Sequence, residues 1–516
     1  MIWRKARALS LLIVTLPICL TFHQSQVGAS PNNQLPEISV IQVSVDSEGE
    51  IGNNGSHSPD VGDKGRLIAF YSGASNLVPN DTNRRFDIFV HDLVSKVTER
   101  VSLASDGTQS NDNSRAPALS ENGQFVAFDS LASNIVGDDT NGVNDVFVHD
   151  RISKITQRVS TASDGSQGND KSLFPSISDD GRFVVFESHA SNLVPGDSNG
   201  VPDIFLHDRQ SGVTERVSIT LSNGQGNGES RSATISGDGR FVAFESLASN
   251  LTVGDTNGAR DVFVYDRLAE TTERTSVSSM GNEADSGSFI PSISSSARFV
   301  AFESFATNLV AGDTNGRFDI YVVDRDTGKT ELASLSSDGE EGNHHSRFPS
   351  LSADGRFLAF ESQANNLVAN DTNSRSDVFI RDLKAGITQR VSVSKNGVQA
   401  DFGSLSPDLS HDGRAVAFVS QATDLVADDT NREDDIFVAS NPLFEPAGEP
   451  DGPRVPDQIG SPTQTVTVLS SPPPPSTPGQ PTSGGGCSAA LGPKSVDLGI
   501  IFLILAGVGL HASKRR

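Results

Sequence analysis

The chain has 516 residues, of which 35% are hydrophobic, 20% are charged and 2 are cysteines, and its formal net charge is −25. This composition is that of a folded globular protein and excludes an intrinsically disordered chain. Because so negative a surface repels phosphate groups and anionic lipid, we expect no nucleic-acid partner and a surface that attracts cations.

The first 29 residues have the three parts of a secretory signal peptide. Basic residues lie near the start, the stretch 8–22 is mostly apolar, and small residues precede the expected cleavage point after Ala29. The apolar stretch is shorter than the roughly 20 residues that a membrane-spanning helix needs. Cleavage removes Cys19 and leaves Cys487 as the only thiol, so we expect no intramolecular disulfide.

After a short linker over residues 30–40, the chain repeats itself between residues 41 and 440. The marker of the repeat is an Asp-Gly-Arg turn or a variant of it, and successive turns lie 58 residues apart. Short runs of β-branched and aromatic residues around each turn are typical of strands. The central residues of the turns are Gly65, Gly123, Gly181, Gly239, Ala297, Gly355 and Gly413.

Each repeat contains four predicted strands that differ in their patterns of polarity. The second strand is apolar at consecutive positions, as in residues 241–244, which indicates burial on both faces. The fourth strand, as in residues 98–102, mixes polar and apolar residues, which is typical of a solvated edge. The sequence therefore predicts an all-β protein, a seven-bladed β-propeller of four-stranded blades.

The two ends of the repeat region complement each other. The seventh repeat stops after its third strand at residues 435–438, and no fourth strand follows. Residues 42–45 lie 58 positions before residues 100–103 of the first repeat, so they match a fourth strand. We therefore expect the N-terminal strand to complete the last blade and close the ring, with an open solenoid as the alternative.

The repeat resembles the TolB-like propeller repeats, which are relatives of the WD-type repeat. The resemblance rests on residues 175–188 and 203–208, and it covers roughly residues 40–440. The loop between the second and third strands is longer than is usual in that family. The resemblance implies the propeller fold, whereas family members bind proteins, bind ligands or occasionally catalyse reactions, so it implies no single function.

This longer loop carries an Asp-x-Asn-x-x-x-Asp motif in every repeat. Oxygen donors at positions 1, 3 and 7 resemble the start of a calcium loop, and Ca²⁺ is the one cofactor that the sequence suggests. An acid at position 5 and a fixed Glu at position 12 are missing, so Asx turns that need no metal are the alternative. The candidate ligands are Asp81, Asn83, Asp87, Asp139, Asn141, Asp145, Asp197, Asn199, Asp203, Asp255, Asn257, Asp261, Asp313, Asn315, Asp319, Asp371, Asn373, Asp377, Asp429, Asn431 and Asp435.

A second polar loop joins the fourth strand to the next repeat and, by the usual connectivity of propellers, shares a face with the first. A ligand is expected on this acidic, amide-rich face, and satisfaction of the loop backbone is the alternative role of its polar groups. The loop closes on a serine in every repeat. These serines are Ser56, Ser114, Ser172, Ser230, Ser288, Ser346 and Ser404.

The sequence predicts no catalytic residue. A catalytic set has to break the sevenfold symmetry, and the acids Glu187, Glu245, Glu303 and Glu361 share one position of the repeat, so a structural role is expected. The histidines that do break the symmetry have no recognised ligand spacing. They are His57, His189, His344 and His345.

The C-terminal part changes composition at residue 441. Residues 441–486 are rich in Pro, Gly, Ser and Thr, which indicates an extended linker. Residues 487–516 hold a short apolar stretch and a basic end, and with Gly485, Gly486 and Cys487 they resemble the sorting signals of bacterial surface proteins. That resemblance implies a processing protease and modification or retention of Cys487, and a plain membrane anchor is the alternative.

Taken together, these features predict an exported bacterial protein, at the cell surface, secreted or in the periplasm. We expect a non-enzymatic propeller that binds a protein or glycan partner of the cell envelope and touches the membrane through its tail before processing. Two alternatives remain open. One is a polysaccharide-directed enzyme of the lyase type, which a His, Arg and carboxylate cluster at the channel mouth would favour, and the other is a structural envelope protein.

Overall fold

The computed structural model describes residues 38–427 and 429–444. The predicted signal peptide with Ala29, the Pro-rich linker, and the tail with Gly485, Gly486 and Cys487 lie outside the described residues. Within the described part, every helical segment is too short and too polar to cross a membrane.

The described residues form seven antiparallel sheets of four strands each, which confirms the predicted seven-bladed β-propeller. The first strands of neighbouring blades contact one another around the axis and therefore line the central channel. From the channel outward, we call the strands of a blade first, second, third and fourth. The first strands are β2 (Ser56–Gly62), β6 (Ser114–Leu119), β10 (Ser172–Ile177), β14 (Ser230–Ile235), β18 (Ser288–Ile293), β22 (Ser346–Leu351) and β26 (Ser404–Leu409).

The second and third strands form the buried centre of each blade. The second strands are β3 (Leu67–Ser72), β7 (Phe125–Ser130), β11 (Phe183–Ser188), β15 (Phe241–Ser246), β19 (Phe299–Ser304), β23 (Phe357–Ser362) and β27 (Ala415–Ser420). The third strands are β4 (Asp87–Asp92), β8 (Asp145–Asp150), β12 (Asp203–Asp208), β16 (Asp261–Asp266), β20 (Asp319–Asp324), β24 (Asp377–Asp382) and β28 (Asp435–Ser440).

The fourth strands lie at the rim and are short. They are β5 (Thr98–Arg100), β9 (Thr156–Arg158), β13 (Val213–Arg216), β17 (Thr271–Arg274), β21 (Lys329–Leu332), β25 (Ile387–Arg390) and, in blade 7, β1 (Val40–Gln42). A 3₁₀ turn, Asp63–Gly65, follows β2.

Ring closure follows the prediction from the sequence. Strand β1 pairs antiparallel with β28, and Val40 lies opposite Ala439 while Gln42 lies opposite Phe437. The fourth strand of blade 7 therefore comes from the start of the propeller, and its other three strands come from the end. This pairing ties the two ends of the ring together and removes the free sheet edge that an open solenoid would leave.

The core consists of apolar contacts between neighbouring blades. In blade 3, Phe186 on β11 stacks on Phe205 of β12 with 6.2 Å between ring centroids, and both rings are fully buried. The other blades have the same pair, with Tyr321 replacing the second Phe in blade 5. Each apolar cluster joins residues of two adjacent blades, so the ring is held together by burial of sheet faces.

One end of the channel is narrowed by the turns that follow the first strands. The Asp179 N–H donates to the Gly237 carbonyl at 3.0 Å, and the Gly237 N–H donates to the Ser295 carbonyl at 3.2 Å. A Cβ atom at Gly237 would lie 2.2 Å from Ser295 Oγ, which shows how closely these turns approach. A ligand therefore has more room at the opposite end of the channel.

Candidate functional site

The two kinds of polar loop share one face of the propeller, as predicted. The Asn111 N–H at the end of blade 1 donates to Asn134 Oδ1 in blade 2 at 2.9 Å, and Asn134 Nδ2 donates back to the Gln109 carbonyl. We call this the loop face. Side-chain amides therefore connect neighbouring blades here by hydrogen bonds that satisfy loop backbone, and between blades 6 and 7 the carboxylates of Asp401 and Asp424 take their place.

The side-chain oxygen and nitrogen of each asparagine in the Asp-x-Asn-x-x-x-Asp motif both form hydrogen bonds with backbone groups of the loops. In blade 2, Asn141 Oδ1 accepts the Val143 N–H, and Asn141 Nδ2 donates to the Gly168 carbonyl and to Asp145 Oδ2, each at 3.0 Å. The amide nitrogen and not the oxygen therefore faces the aspartate. The same two backbone contacts recur at Asn83, Asn199, Asn257, Asn315, Asn373 and Asn431.

The two aspartates of the motif lie beside a buried arginine in five blades. In blade 3, Arg216 Nη1 lies 3.4 Å from Asp197 Oδ1 and 3.4 Å from Asp203 Oδ2. A guanidinium thus supplies positive charge where the motif suggests Ca²⁺, and any cation at this position would rely on the aspartates, not on the asparagines. The arginines end the fourth strands and are Arg100, Arg158, Arg216, Arg274 and Arg390.

Burial and the close approach of these acids raise their pKa values in several blades. Burial and then the charge of Asp145 raise the pKa of Asp139 to about 6. In blade 4, burial and then the charge of Asp261 raise the pKa of Asp255 to about 6. Both carboxyls keep a proton more readily than an exposed aspartate, because taking two negative charges out of water beside one arginine costs free energy.

The serines that close the second loop have a structural role. In blade 3, Ser172 Oγ donates to Ser188 Oγ at 2.9 Å, and both residues are buried. The bond joins the first strand to the end of the second. The equivalent residues Ser56, Ser114, Ser230, Ser288, Ser346 and Ser404 make the same contact in their blades.

Three of the four histidines that break the sevenfold symmetry lie at two separate places, His57 in blade 1 and the adjacent pair His344 and His345 just before blade 6. His57 packs between Tyr71 and Phe86, with ring centroids 5.2 and 6.2 Å apart. His344 Nδ1 accepts the N–H of His345, whose own Nδ1 accepts the N–H of a phenylalanine at 3.0 Å. Among the described residues, the acidic groups close enough to share a metal ion include no histidine.

The fourth histidine, His189, lies in a cavity of about 990 Å³ at the loop-face end of the channel. We call this cavity the channel mouth. It is lined by cationic, acidic and aromatic side chains of blades 1–5. The lining residues include Arg115, Asp129, Lys171, Phe174, Glu187, His189, Arg231, Ser232, Glu245 and Ile290.

A strained bulge shapes the wall of the channel mouth. The third residue of every first strand has left-handed backbone, with φ of 51° at Phe174 and 47° at Ile290, and the pairing register shifts at the bulge. Residues with a Cβ rarely adopt this conformation, and a β-branched residue such as Ile does so least of all. The bulge turns a backbone N–H and a side chain of each blade toward its neighbour.

Buried carboxylates hold these bulges. Glu245 Oε2 accepts the Ile290 N–H of the next blade at 2.8 Å, and Glu303 Oε2 accepts the Phe348 N–H at 3.1 Å. Asp129, Glu187 and Glu361 make the same kind of contact with the blade that follows. This is the structural role that the repeated position of these acids suggests. Burial raises the pKa of Asp129, Glu187, Glu303 and Glu361 to about 7.

The cations of the channel mouth are only partly neutralised. Arg231 pairs with Glu229 at 2.8 Å, but Arg115 and Lys171 form no ion pair with any described residue. Arg115 instead lies over the ring of Phe86, with 5.3 Å from guanidinium to centroid. Since Asp129 and Glu187 are partly protonated near neutral pH, the mouth can hold positive charge in a chain that is strongly negative overall.

One pattern in the sequence points to this site. The second residue of the first strand lines the channel mouth in blades 2, 3 and 4, and its chemistry changes from blade to blade while most of the repeat stays constant. The seven residues at this position are His57, Arg115, Leu173, Arg231, Phe289, Arg347 and Leu405. A position that varies in chemistry within a regular repeat indicates a surface that is not needed for the fold.

Comparison with known proteins yields similarity of structure alone. No protein-family model and no curated protein matches the sequence. Among solved structures, the chain is similar to TolB from Acinetobacter baumannii, with 17% identity and a TM-score of 0.37 over 64% of each chain.

Two further structures extend the comparison. An oligogalacturonate lyase from Vibrio parahaemolyticus has 12% identity and a TM-score of 0.45, over 78% of this chain and 97% of that one. The β-propeller domain of the Trilobed protease from Pyrococcus furiosus has 10% identity and a TM-score of 0.46, over 75% and 95%. At identities this low, the similarity concerns the fold alone.

Proposed function

We propose that this protein is an exported, non-enzymatic propeller that binds an acidic glycan in the channel mouth. The observation that carries the proposal is the cavity of about 990 Å³ in which unpaired cations lie beside exposed aromatic surface. Pockets for small molecules typically combine such apolar lining with a few polar groups that fix orientation.

The cations suit a carboxylated ligand. A guanidinium binds a carboxylate through two parallel hydrogen bonds, and such charge-assisted bonds are stronger than neutral ones. Arg115 and Lys171 form no ion pair with a described residue that would have to break before they bind a ligand. The raised pKa of Asp129 and Glu187, to about 7, reduces the repulsion that an incoming carboxylate meets.

The apolar part of the mouth suits a sugar ring. Phe174 is 55% exposed and lines the cavity from its bulge position. One face of a pyranose ring carries mainly C–H groups, and such a face packs on an aromatic ring while the hydroxyl and carboxylate groups reach polar side chains. A ligand that is acidic but lacks a ring would leave Phe174 uncovered.

Calorimetric titration of the full-length chain with an oligouronate, and with a neutral oligosaccharide of the same linkage, tests the proposal. We expect binding of the acidic ligand alone, and a loss of about tenfold or more in Arg115→Ala or Phe174→Ala, since a bond to a charged group contributes about 1.5–3 kcal/mol. Arg182→Ala is the matched control, because Arg182 lies near the other end of the channel in an ion pair with Asp208. Equal binding of both saccharides, or an unchanged Arg115→Ala, would overturn the proposal.

A lyase is the second candidate, and His189 is the observation that favours it. This histidine lies in the mouth with Arg231 and Glu187, which is the kind of asymmetric cluster that a catalytic set requires. Burial and then the charge of Lys171 lower the pKa of His189, so its ring is neutral at neutral pH and can accept a proton. In such an elimination His189 would take the proton from the carbon beside the carboxylate that Arg231 binds, a carbon–carbon double bond would form, and the glycosidic oxygen would leave with the electron pair of its broken C–O bond.

Ultraviolet absorbance of the unsaturated product separates the two functions. We expect no product from an oligouronate over hours at neutral pH, with binding retained. Product that disappears in His189→Ala while binding persists would establish the lyase in place of the binding protein.

Export and the partner class complete the proposal. The predicted signal peptide and sorting tail support a bacterial protein outside the cytoplasm, where envelope glycans are accessible and a processing protease acts on the tail. A protein ligand with an acidic segment would bind to the same cations. A purely structural role in the envelope would not require a ligand-binding cavity. Fractionation with a tag after the signal peptide tests the location, and recovery of the chain in the cytoplasm would contradict it.

A further inference from the structure

Blade 5 lacks the arginine that lies beside the motif aspartates in five other blades. Its fourth strand ends on Leu332 where the neighbouring blade 4 has Arg274. The long loop of blade 5 nevertheless keeps both aspartates, Asp313 and Asp319, and the following loop adds Glu341. These three residues each offer a carboxylate oxygen, and the three oxygens lie within 4.8 Å of one another.

Blade 4 shows what the missing arginine does. It has the same three acids, Asp255, Asp261 and Glu283, equally close together. There Arg274 Nη1 lies 3.3, 3.4 and 2.7 Å from an oxygen of Asp255, Asp261 and Glu283, respectively. The blade 4 cluster is therefore built around a cation, and the blade 5 cluster has the same walls without one.

Asp313 and Asp319 of blade 5 are buried, Glu341 is partly buried, and one carboxylate oxygen of the three residues lacks a partner in the part of the chain that the structure describes. Asp319 is fully buried, with one oxygen accepting from Ser334 Oγ at 2.6 Å and the other from Asn315 Nδ2 at 2.7 Å. Asp313 is 9% exposed, and Tyr321 donates to its Oδ2. Its Oδ1 has no hydrogen-bond partner among the described residues.

An orphaned oxygen in such a place needs an explanation. The oxygen of Asp313 without a partner costs free energy because it is buried, and the two carboxylates beside it add to that cost because like charges repel. A proton shared between carboxyls, an arginine or a metal ion could each relieve this repulsion. The arginine is the solution of blade 4, and in blade 5 the leucine rules it out.

We propose that Asp313, Asp319 and Glu341 of blade 5 form a binding site for one hard divalent cation of the Ca²⁺ class. Carboxylate oxygens are the ligands that such cations prefer, and water completes their coordination. Glu341 also accepts hydrogen bonds from Thr314 N at 3.1 Å and Thr314 Oγ1 at 2.9 Å, so its position is set before any ion binds. The proposal limits the Ca²⁺ binding predicted for the seven motif loops to blade 5, which has three acids and no arginine.

Calorimetric titration of the full-length chain with Ca²⁺ is the first test. We expect one Ca²⁺ per chain at this site and a loss of affinity of at least about tenfold in Glu341→Gln, since ligand charge sets affinity. Leu332→Arg is the decisive variant, because it places in blade 5 the arginine that blade 4 tolerates. We expect it to abolish Ca²⁺ binding while the chain stays folded by circular dichroism.

The reciprocal variant tests the same idea from the other blade. Arg274→Leu removes the cation from Asp255, Asp261 and Glu283, and we expect a second Ca²⁺ to bind.

Tb³⁺ provides a local readout of the blade 5 site, because Tyr321 contacts Asp313 and sensitises a lanthanide bound there. Tyr321→Phe should remove the tyrosine-excited Tb³⁺ luminescence with Ca²⁺ affinity changed less than about tenfold.

Three results would overturn the proposal. These are no Ca²⁺ binding to the wild-type chain near neutral pH, unchanged Ca²⁺ binding in Leu332→Arg, and Tb³⁺ luminescence that survives Tyr321→Phe. The first would mean that a shared proton or water relieves the blade 5 carboxylates. The second or third would place bound ions elsewhere on this acidic chain.

Discussion

The buried centre of the blades and the channel mouth differ in how closely they obey the sevenfold repeat. On the second and third strands an aromatic pair recurs in every blade, with ring centroids 5.7–6.2 Å apart. The second residue of the first strand, which lines the mouth in blades 2–4, is Arg in blade 2, Leu in blade 3 and Phe in blade 5. Packing of one blade on the next thus needs the first set of residues and leaves the second set free to serve a ligand.

The same contrast separates two kinds of charged group on the loop face. The motif aspartates recur in all blades and five of their pairs face an arginine, so these groups belong to the repeat. The position of Arg115 holds Arg in only three of the seven blades and that of Lys171 holds Lys in only one, and neither residue forms an ion pair with a described residue. A charge that the fold neutralises itself is structural, and a charge that the fold leaves open is available for binding.

The largest expected effect comes from the buried centre. Phe263→Ala removes a fully buried ring that stacks on Phe244 at 5.9 Å. We expect the free energy of unfolding to fall by about 3–5 kcal/mol, because the cavity left by a phenylalanine cannot collapse fully. Denaturant titration measures the loss. Binding of an oligouronate to the folded variant should be unchanged, and a loss below about 1 kcal/mol would show that the aromatic pair is dispensable.

A somewhat smaller effect is expected from the arginines of the fourth strands. Arg158→Leu leaves Asp139 and Asp145 without their cation, and Arg158 has 5% of its side chain exposed. We expect a loss of about 3 kcal/mol in the free energy of unfolding, since breaking a buried ion pair strands a charge.

Two controls make the arginine experiment specific. Leu332 of blade 5 already occupies the equivalent position, so Leu332→Met should leave stability nearly unchanged. The exposed pair of Lys329 and Glu331 provides the second control, because water screens its charges. Equal destabilisation by Arg158→Leu and Lys329→Leu would show that burial of the pair does not matter.

Much of this comparison could be predicted from the sequence. The spacing of the turns fixed the blade number, and the missing fourth strand of repeat seven predicted pairing of the N-terminal strand with β28. The mouth was missed because Arg115, Lys171 and His189 are far apart along the chain and meet only through the ring. The arginines beside the motif acids were missed for the same reason, since Arg216 follows Asp197 by a whole strand and a loop.

The carboxylates that hold the bulges predict an unusual dependence of stability on pH. Burial raises the pKa of Glu361 to about 7, above its value in an unfolded chain. The folded state therefore binds more protons than the unfolded state between about pH 4.5 and pH 7, so the free energy of unfolding falls as pH rises through this range.

Glu361→Gln isolates this contribution. The amide keeps a hydrogen-bond acceptor for the Ser406 N–H and cannot ionise. From pH 5 to pH 8, we expect the free energy of unfolding to fall by about 2 kcal/mol less in the variant than in the wild type. Thermal unfolding at a series of pH values measures the difference, and parallel curves for the two chains would contradict a raised pKa.

The smallest expected effect concerns the bulge of the first strand, which lines the mouth and recurs in every blade. Ser232 has φ of 52°, and its side chain lines the cavity. Ser232→Gly removes the Cβ that makes this backbone unfavourable, while it adds freedom to the unfolded chain, so we expect a gain of about 0.5 kcal/mol. Ser232→Val should instead lose about 1 kcal/mol or more, because a β-branched residue tolerates left-handed backbone poorly. If both substitutions leave the unfolding midpoint unchanged, the bulge stores no strain. If they follow the expected order, the strain belongs to the fold in every blade, and the ligand specificity of the mouth resides in the side chains that differ between blades.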